Sequence, residues 1–131
     1  MIAVDTSVVV RYLVGTPPAQ ARRAARLMDG TETIAIPVVV LVETAHVLRT
    51  QYGIDRLHVI DTLLELVQRE DVAILGMSTE DVAEALVRAR AMPGRPIPDA
   101  LIAIAARSAG ALPLYVFDRA MARYGVAVAE P

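Results

Sequence analysis

Four carboxylates stand where chemistry is possible: Asp5, Glu43, Asp99 and Asp118. Asp5 follows the short apolar run Ile2–Val4, and Asp118 follows another in "LYVFD". Asp99 comes directly after Pro98, and Glu43 lies inside the long apolar stretch "PVVVLVETAHVL". Taken singly, three of them have structural readings. Asp5 and Asp118 suit helix N-caps, and Asp99 complements a helix dipole from the first turn. Glu43 resists such a reading. Its helical neighbours are Val39, Val40, His46 and Val47, a mostly apolar face expected to turn towards a sheet. A buried, unpaired carboxylate is costly or protonates, so Glu43 calls for a compensating cation, either a buried Arg or a metal ion.

A hard divalent cation accounts for all four acids together. Mg²⁺, or Mn²⁺ in its place, takes oxygen ligands and keeps waters and substrate phosphates in its shell. Carboxylates around such an ion make a phosphoryl-transfer site. Thr6 and Ser7, directly after Asp5, are then candidates to orient the first ligand by hydrogen bonding.

The elements that must position these groups alternate in type. Ile2–Asp5 reads as a buried strand, Ser7–Val14 as a helix, and Pro17–Asp29 as a second helix with Pro at its start and Gly30 as its stop. Glu32–Ile36 is the second strand. Pro37 opens a helix to Tyr52, ended by Gly53, and Ile54–Arg69 is helical with Leu57, Ile60, Leu63, Leu64 and Val67 on one stripe. Val72–Leu75 is the third strand, and "STED" at Ser78–Asp81 is a capping signature for a helix to Ala91. After the loop "MPGRPIP" come a helix over Asp99–Ala109, a strand over Leu114–Phe117, a short helix over Arg119–Tyr124 and a fifth strand over Val126–Val128. Apolar strands separated by helices predict an α/β fold with a parallel sheet covered on both faces. In such sheets ligands bind beyond the carboxyl ends of the strands, where strand order reverses.

Composition removes several alternatives. A chain of 131 residues suits one domain, residues 1–131, with a core of its own. It has no Cys, hence no disulfide, thiolate metal site or cysteine nucleophile, which fits a cytoplasmic protein. All 13 basic side chains are Arg, so no mechanism can use a catalytic lysine. That disfavours phosphatases of the haloacid dehalogenase type and phospho-accepting receiver domains. A single Glu43–His46 pair on an interrupted helical frame does not make a di-iron bundle. The apolar fraction is 55% and the mean hydropathy +0.46. No apolar run nears the roughly 18 residues that a membrane span needs, so the excess is expected in a core and in partner interfaces, including a homodimer.

In order along the chain, "VDTSVVVRYL", the Glu of "VVVLVETAHVL", "IPDALIAIAARSAG" and "LYVFDRAMARYGV" resemble the PIN domain, specifically the VapC-type toxins of type II toxin–antitoxin pairs. The resemblance covers nearly the whole chain. It implies a three-layer α/β/α sandwich with a five-stranded parallel sheet. It implies a Mg²⁺- or Mn²⁺-dependent endoribonuclease acting on structured RNA such as tRNA or rRNA, a cognate antitoxin that covers the active site, and pairing of two toxin subunits. By motif, Asp5, Glu43, Asp99 and Asp118 take the places of the four catalytic, metal-binding acids. The family often has Thr or Ser two residues before the fourth acid. Here that residue is Val116, so a thinner hydrogen-bonding shell is expected around Asp118.

RNA binding by a chain of net charge −2 needs local basicity. The candidates are Arg22, Arg23 and Arg26 on the second predicted helix, with Arg22 and Arg26 four apart on one face, and the arginines placed to border the site: Arg11, Arg49, Arg88, Arg90, Arg95, Arg119 and Arg123. Two rival readings remain: a PIN module that binds RNA or protein without cutting, and a structural role for the acids, neutralised by Arg95, Arg107 or Arg119.

Overall fold

The apolar runs at Ile34–Ile36 and Val72–Leu75 form neighbouring parallel strands and organise the first half of the chain. The computed structural model describes all 131 residues, Met1–Pro131, in two compact units, Met1–Gly76 and Met77–Pro131.

The first unit runs β1 (Ile2–Ala3), α1 (Thr6–Val14), α2 (Pro18–Met28), β2 (Ile34–Pro37), α3 (Val38–Thr50), α4 (Arg56–Val67) and β3 (Val72–Leu75). Its sheet has the order β1-β2-β3, all parallel. Ile2 faces Ile34, and Ile34 in turn faces Val72. Each crossover carries two helices, α1–α2 and then α3–α4. The core holds Ile34 and Ile36 of β2, Val9 of α1, Met28 of α2, Leu48 of α3, and Val59, Ile60 and Val67 of α4, each with almost no exposure. The buried side of α4 is Val59, Ile60, Leu63, Leu66 and Val67. Leu57, placed on the buried stripe by sequence, is instead exposed.

Helix boundaries follow local chemistry. Asp5 and Asp55 cap α1 and α4 with their carboxylates. Gly15 ends α1 in the left-handed region at φ 82°, where a side chain would be strained. Only Thr16 and Pro17 then separate it from α2, so α1 and α2 form a tight helical hairpin.

The second unit runs α5 (Thr79–Arg90), α6 (Ile97–Ser108), β4 (Leu114–Tyr115), a 3-10 helix (Arg119–Tyr124) and β5 (Val128–Ala129). Ser78 caps α5, its hydroxyl accepting the Asp81 amide at 3.1 Å. Val82, Ala85 and Ala89 of α5 and Ala100, Ala103 and Ile104 of α6 are fully buried. Small residues on both helices allow close approach. Between the two helices, Arg107 clamps Glu84 at 2.6 and 2.7 Å, and Arg88 reaches the same carboxylate at 2.9 Å.

All five strands form and all pair in parallel, but not as the single five-stranded sheet expected. They make a three-stranded ladder and a separate two-stranded one, β4-β5. The physical reason is length. β1, β4 and β5 span two residues each, so each offers only a rung or two. Pro113 has no N–H to extend β4 backwards, and β4 ends at Tyr115 rather than Phe117, whose side chain is 88% exposed. β5 begins at Val128 rather than Val126. Strand order does not reverse inside either sheet, so the expected crevice at a reversal is present in neither.

Candidate active site

Asp5 sits where β1 gives way to α1. Its backbone is extended (φ −97°, ψ 177°), so its side chain turns back over the first turn of α1. One oxygen, Oδ1, accepts the Ser7 hydroxyl at 2.7 Å and the Val8 amide at 3.3 Å. These donors favour the charged form: the Ser7 hydroxyl first, then the Val8 amide, hold the carboxyl below its ordinary range. Oδ2 has no partner. Asp5 is therefore an ionised, oriented carboxylate with one free oxygen, the donor a hard cation takes. No hydrogen bond joins Thr6 to it.

Glu43 lies on α3, and here the structure corrects the sequence. Much of the face expected to be buried is open: Glu43 and His46 are exposed and Val39 is 67% exposed, while Val40 alone of the named neighbours is buried. The buried residues of α3 are Val40, Leu41, Thr44, Ala45 and Leu48. Glu43 therefore needs no compensating cation for burial, and its carboxylate is open to solvent.

Asp99 and Asp118 belong to the second unit and share a partner. Asp99 lies in the first turn of α6, which starts at Ile97, two residues earlier than expected. Asp118 caps the 3-10 helix, its Oδ1 accepting the Ala120 amide at 3.0 Å. Arg95 places one terminal nitrogen 2.6 Å from Asp118 Oδ2 and the other 3.1 Å from Asp99 Oδ2. Its guanidinium, followed by the Ala120 amide, holds the Asp118 carboxyl below its usual range. The shell of Asp118 is thus supplied by an arginine and a backbone amide, without a hydroxyl at position 116. Of the three arginines considered as neutralising partners, Arg95 fills that role for these two acids, Arg107 serves Glu84 instead, and Arg119 lies 3.6 Å from Glu130. No three His, Asp or Glu side chains stand together as a ready-made ligand set. In type, however, the four acids are the all-oxygen donors that Mg²⁺ or Mn²⁺ prefers.

Arg22 and Arg26 project into solvent from α2 without a partner. Sequence reasoning names Arg11 and Arg23 among the basic candidates but not the groove that brings them together. A groove of about 530 Å³ separates α1 from α2. Ser7, Arg11, Gln20 and Arg23 supply its polar lining, and Val8, Ala24 and Leu27 its apolar lining. Arg11 donates through Nε to Gln20 Oε1 and through Nη1 to the Ser7 carbonyl at 3.4 Å. The signal was there to read: Gln20, Arg23, Ala24 and Leu27 recur at the i, i+3, i+4, i+7 spacing of one helix face.

The fold and the carboxylates point to a class before any particular activity. The family model for the PIN domain matches residues 2–127, and the chain belongs to that family. No curated protein and no solved structure matches it. PIN domains are generally metal-dependent nucleases, so the class is that of a hydrolase acting on nucleic acid. No helix of this chain is long and apolar enough to cross a membrane.

Proposed function

We propose that the chain is a Mg²⁺-dependent endoribonuclease that hydrolyses phosphodiester bonds in structured RNA such as tRNA or rRNA, and that it acts in the cytoplasm as the toxin of a toxin–antitoxin pair. Residues 1–131 work as one PIN domain in this reading. Asp5, Glu43, Asp99 and Asp118 are the ligands for Mg²⁺, which Mn²⁺ can replace. A cation of this kind polarises the phosphate and lowers the pKa of water. The observation that carries the reading is Asp5, within a chain matched by the PIN model over residues 2–127. It is held ionised by Ser7 and Val8 with one oxygen open. Ser7 fixes the direction of that oxygen, and Glu43 offers a second carboxylate that solvent and substrate can reach.

The test is direct. Purified protein should cut tRNA or rRNA with Mg²⁺ or Mn²⁺, stop with EDTA, and lose activity as Asp5→Asn. Full activity of that variant would sink the reading. Brief expression should arrest growth, and a small antitoxin protein should relieve the arrest. Unpartnered apolar side chains, among them Val87, Ile102, Tyr115 and Phe117, support a homodimer. Light scattering that finds a monomer at high concentration would remove that part.

One observation favours a second reading, a module that binds RNA or protein without cutting. Arg95 already neutralises Asp99 and Asp118. In that case the protein retains RNA or a protein partner, Mg²⁺ produces no cleavage, and Asp5→Asn leaves binding unchanged.

A further inference from the structure

α1 and α2 carry four arginines, Arg11, Arg22, Arg23 and Arg26, and no acid between Thr6 and Met28, in a chain whose net charge is −2. Two of the four, Arg11 of α1 and Arg23 of α2, line the groove between the helices. Arg11 is aimed by Gln20 and by the Ser7 carbonyl. Arg23 has neither a hydrogen bond nor an ion pair. The groove reaches Asp5 through Ser7, which lines it and donates its hydroxyl to the Asp5 carboxylate. An arginine fork matches phosphate geometry. The apolar wall of Val8, Ala24 and Leu27 suits the ribose and base faces of an unpaired strand better than the water-loving side chains of an acidic peptide.

We propose that this groove binds the sugar–phosphate backbone of a single-stranded stretch of the RNA substrate and leads it to Asp5, with Arg11 and Arg23 as its phosphate ligands. The proposal rests on the nuclease reading above and assigns its substrate path. Arg22 and Arg26 lie outside the groove and contribute diffuse attraction only.

Binding of a short fluorescein-labelled single-stranded oligoribonucleotide, followed by anisotropy in EDTA across a salt series, tests it without cleavage. Each phosphate contact on a single strand contributes about 0.7 to the slope of log affinity against log salt. Arg11→Ala with Arg23→Ala should lower the slope by about 1.4 and weaken binding about tenfold or more at ~0.1 M salt. Arg22→Ala with Arg26→Ala, the same charge loss, should do less than half as much. Equal losses from the two pairs would overturn the groove. Arg23→Glu alone guards against misfolding, since Arg23 holds nothing else in place; it should weaken binding while leaving the melting temperature unchanged, and unchanged binding overturns the proposal. A polyglutamate peptide that binds with the same dependence on Arg11 and Arg23, while RNA does not, would reassign the groove to an acidic protein segment. The nuclease reading fails separately, through an Asp5→Asn variant that still cuts. A wild-type protein that neither binds nor cuts RNA overturns both.

Discussion

Arg95 and Asp118 meet at 2.6 Å across 23 residues of sequence, and the same guanidinium lies 3.1 Å from Asp99. One fixed positive charge thus lies against two of the carboxylates proposed as metal ligands. Arg95→Ala should remove the guanidinium from both acids and leave Asp118 with the Ala120 amide as its hydrogen-bond donor. Without metal the variant should melt at a lower temperature than the wild type, since the arginine and Asp99 are only about a fifth exposed. Millimolar Mg²⁺ should then raise its melting temperature more than that of the wild type, by mass action on the freed carboxylates. Calorimetry with and without Mg²⁺ measures both, and an identical Mg²⁺ response in the two proteins would exclude Asp99 and Asp118 as ligands.

Ser7→Ala removes the leading donor to Asp5 while keeping the Val8 amide. The Asp5 carboxyl should move up towards its ordinary value of 3.8. RNA cleavage should fall about 10–100-fold, the usual effect of losing a group that orients a metal ligand. Initial rates under saturating Mg²⁺ test this. Thermal melting should barely change, because the residue is exposed.

Glu43→Gln separates catalysis from burial. On the exposed face of α3 the substitution should shift stability by no more than about 0.5 kcal/mol in urea unfolding. Cleavage should nonetheless be lost. A large stabilisation would instead reveal a carboxylate strained by desolvation.

Glu84 makes the clearest pH prediction. Arg107 first, and Arg88 after it, pull its carboxyl down from 4.5 to about 2. A depressed carboxyl stabilises the fold above its unfolded value, and that stabilisation is lost as pH falls through the folded one. The wild type should therefore exceed Glu84→Gln by about 1 kcal/mol at neutral pH, a modest value because the side chain is a third exposed and screened. The gap should close as pH falls from about 4.5 to about 2. Melting curves over that range measure it.

Arg69 tests geometry rather than charge. Its guanidinium donates twice to Asp71, at 2.9 and 2.7 Å, and also to the Met28 carbonyl at 2.6 Å and to Tyr12 at 3.0 Å. A lysine carries the same charge but lacks the planar fork. Arg69→Lys should cost about 1–3 kcal/mol in urea unfolding, and retention of full stability would show that charge alone suffices.

Much of this was legible in advance. The β2 and β3 segments announced themselves by β-branched apolar runs, and the Ser78 cap by its acids. Glu43 was misjudged for a physical reason. Val38–Val42 is apolar on every side, so its pattern does not say which face turns inward. The Arg95–Asp99 pair lies four apart on the chain, whereas the Arg95–Asp118 contact exists only once β4 and the 3-10 helix are placed. The division into two ladders was hidden because a two-residue strand carries no periodicity of its own.

The α1–α2 hairpin has one more consequence. Its walls are joined by a three-residue connector from Gly15 to Pro17 and cross-linked by Arg11 to Gln20. Tyr12 of α1 also reaches Asp29, the residue that ends α2, at 2.6 Å. The walls are therefore tied to each other by side chains as well as by the connector. A ligand entering the groove surrenders its own conformational freedom, and the ordering it imposes on the protein falls mainly on the unpartnered Arg23. Its affinity is set by the preorganised contacts, by the flexibility of the ligand and by the fixing of Arg23.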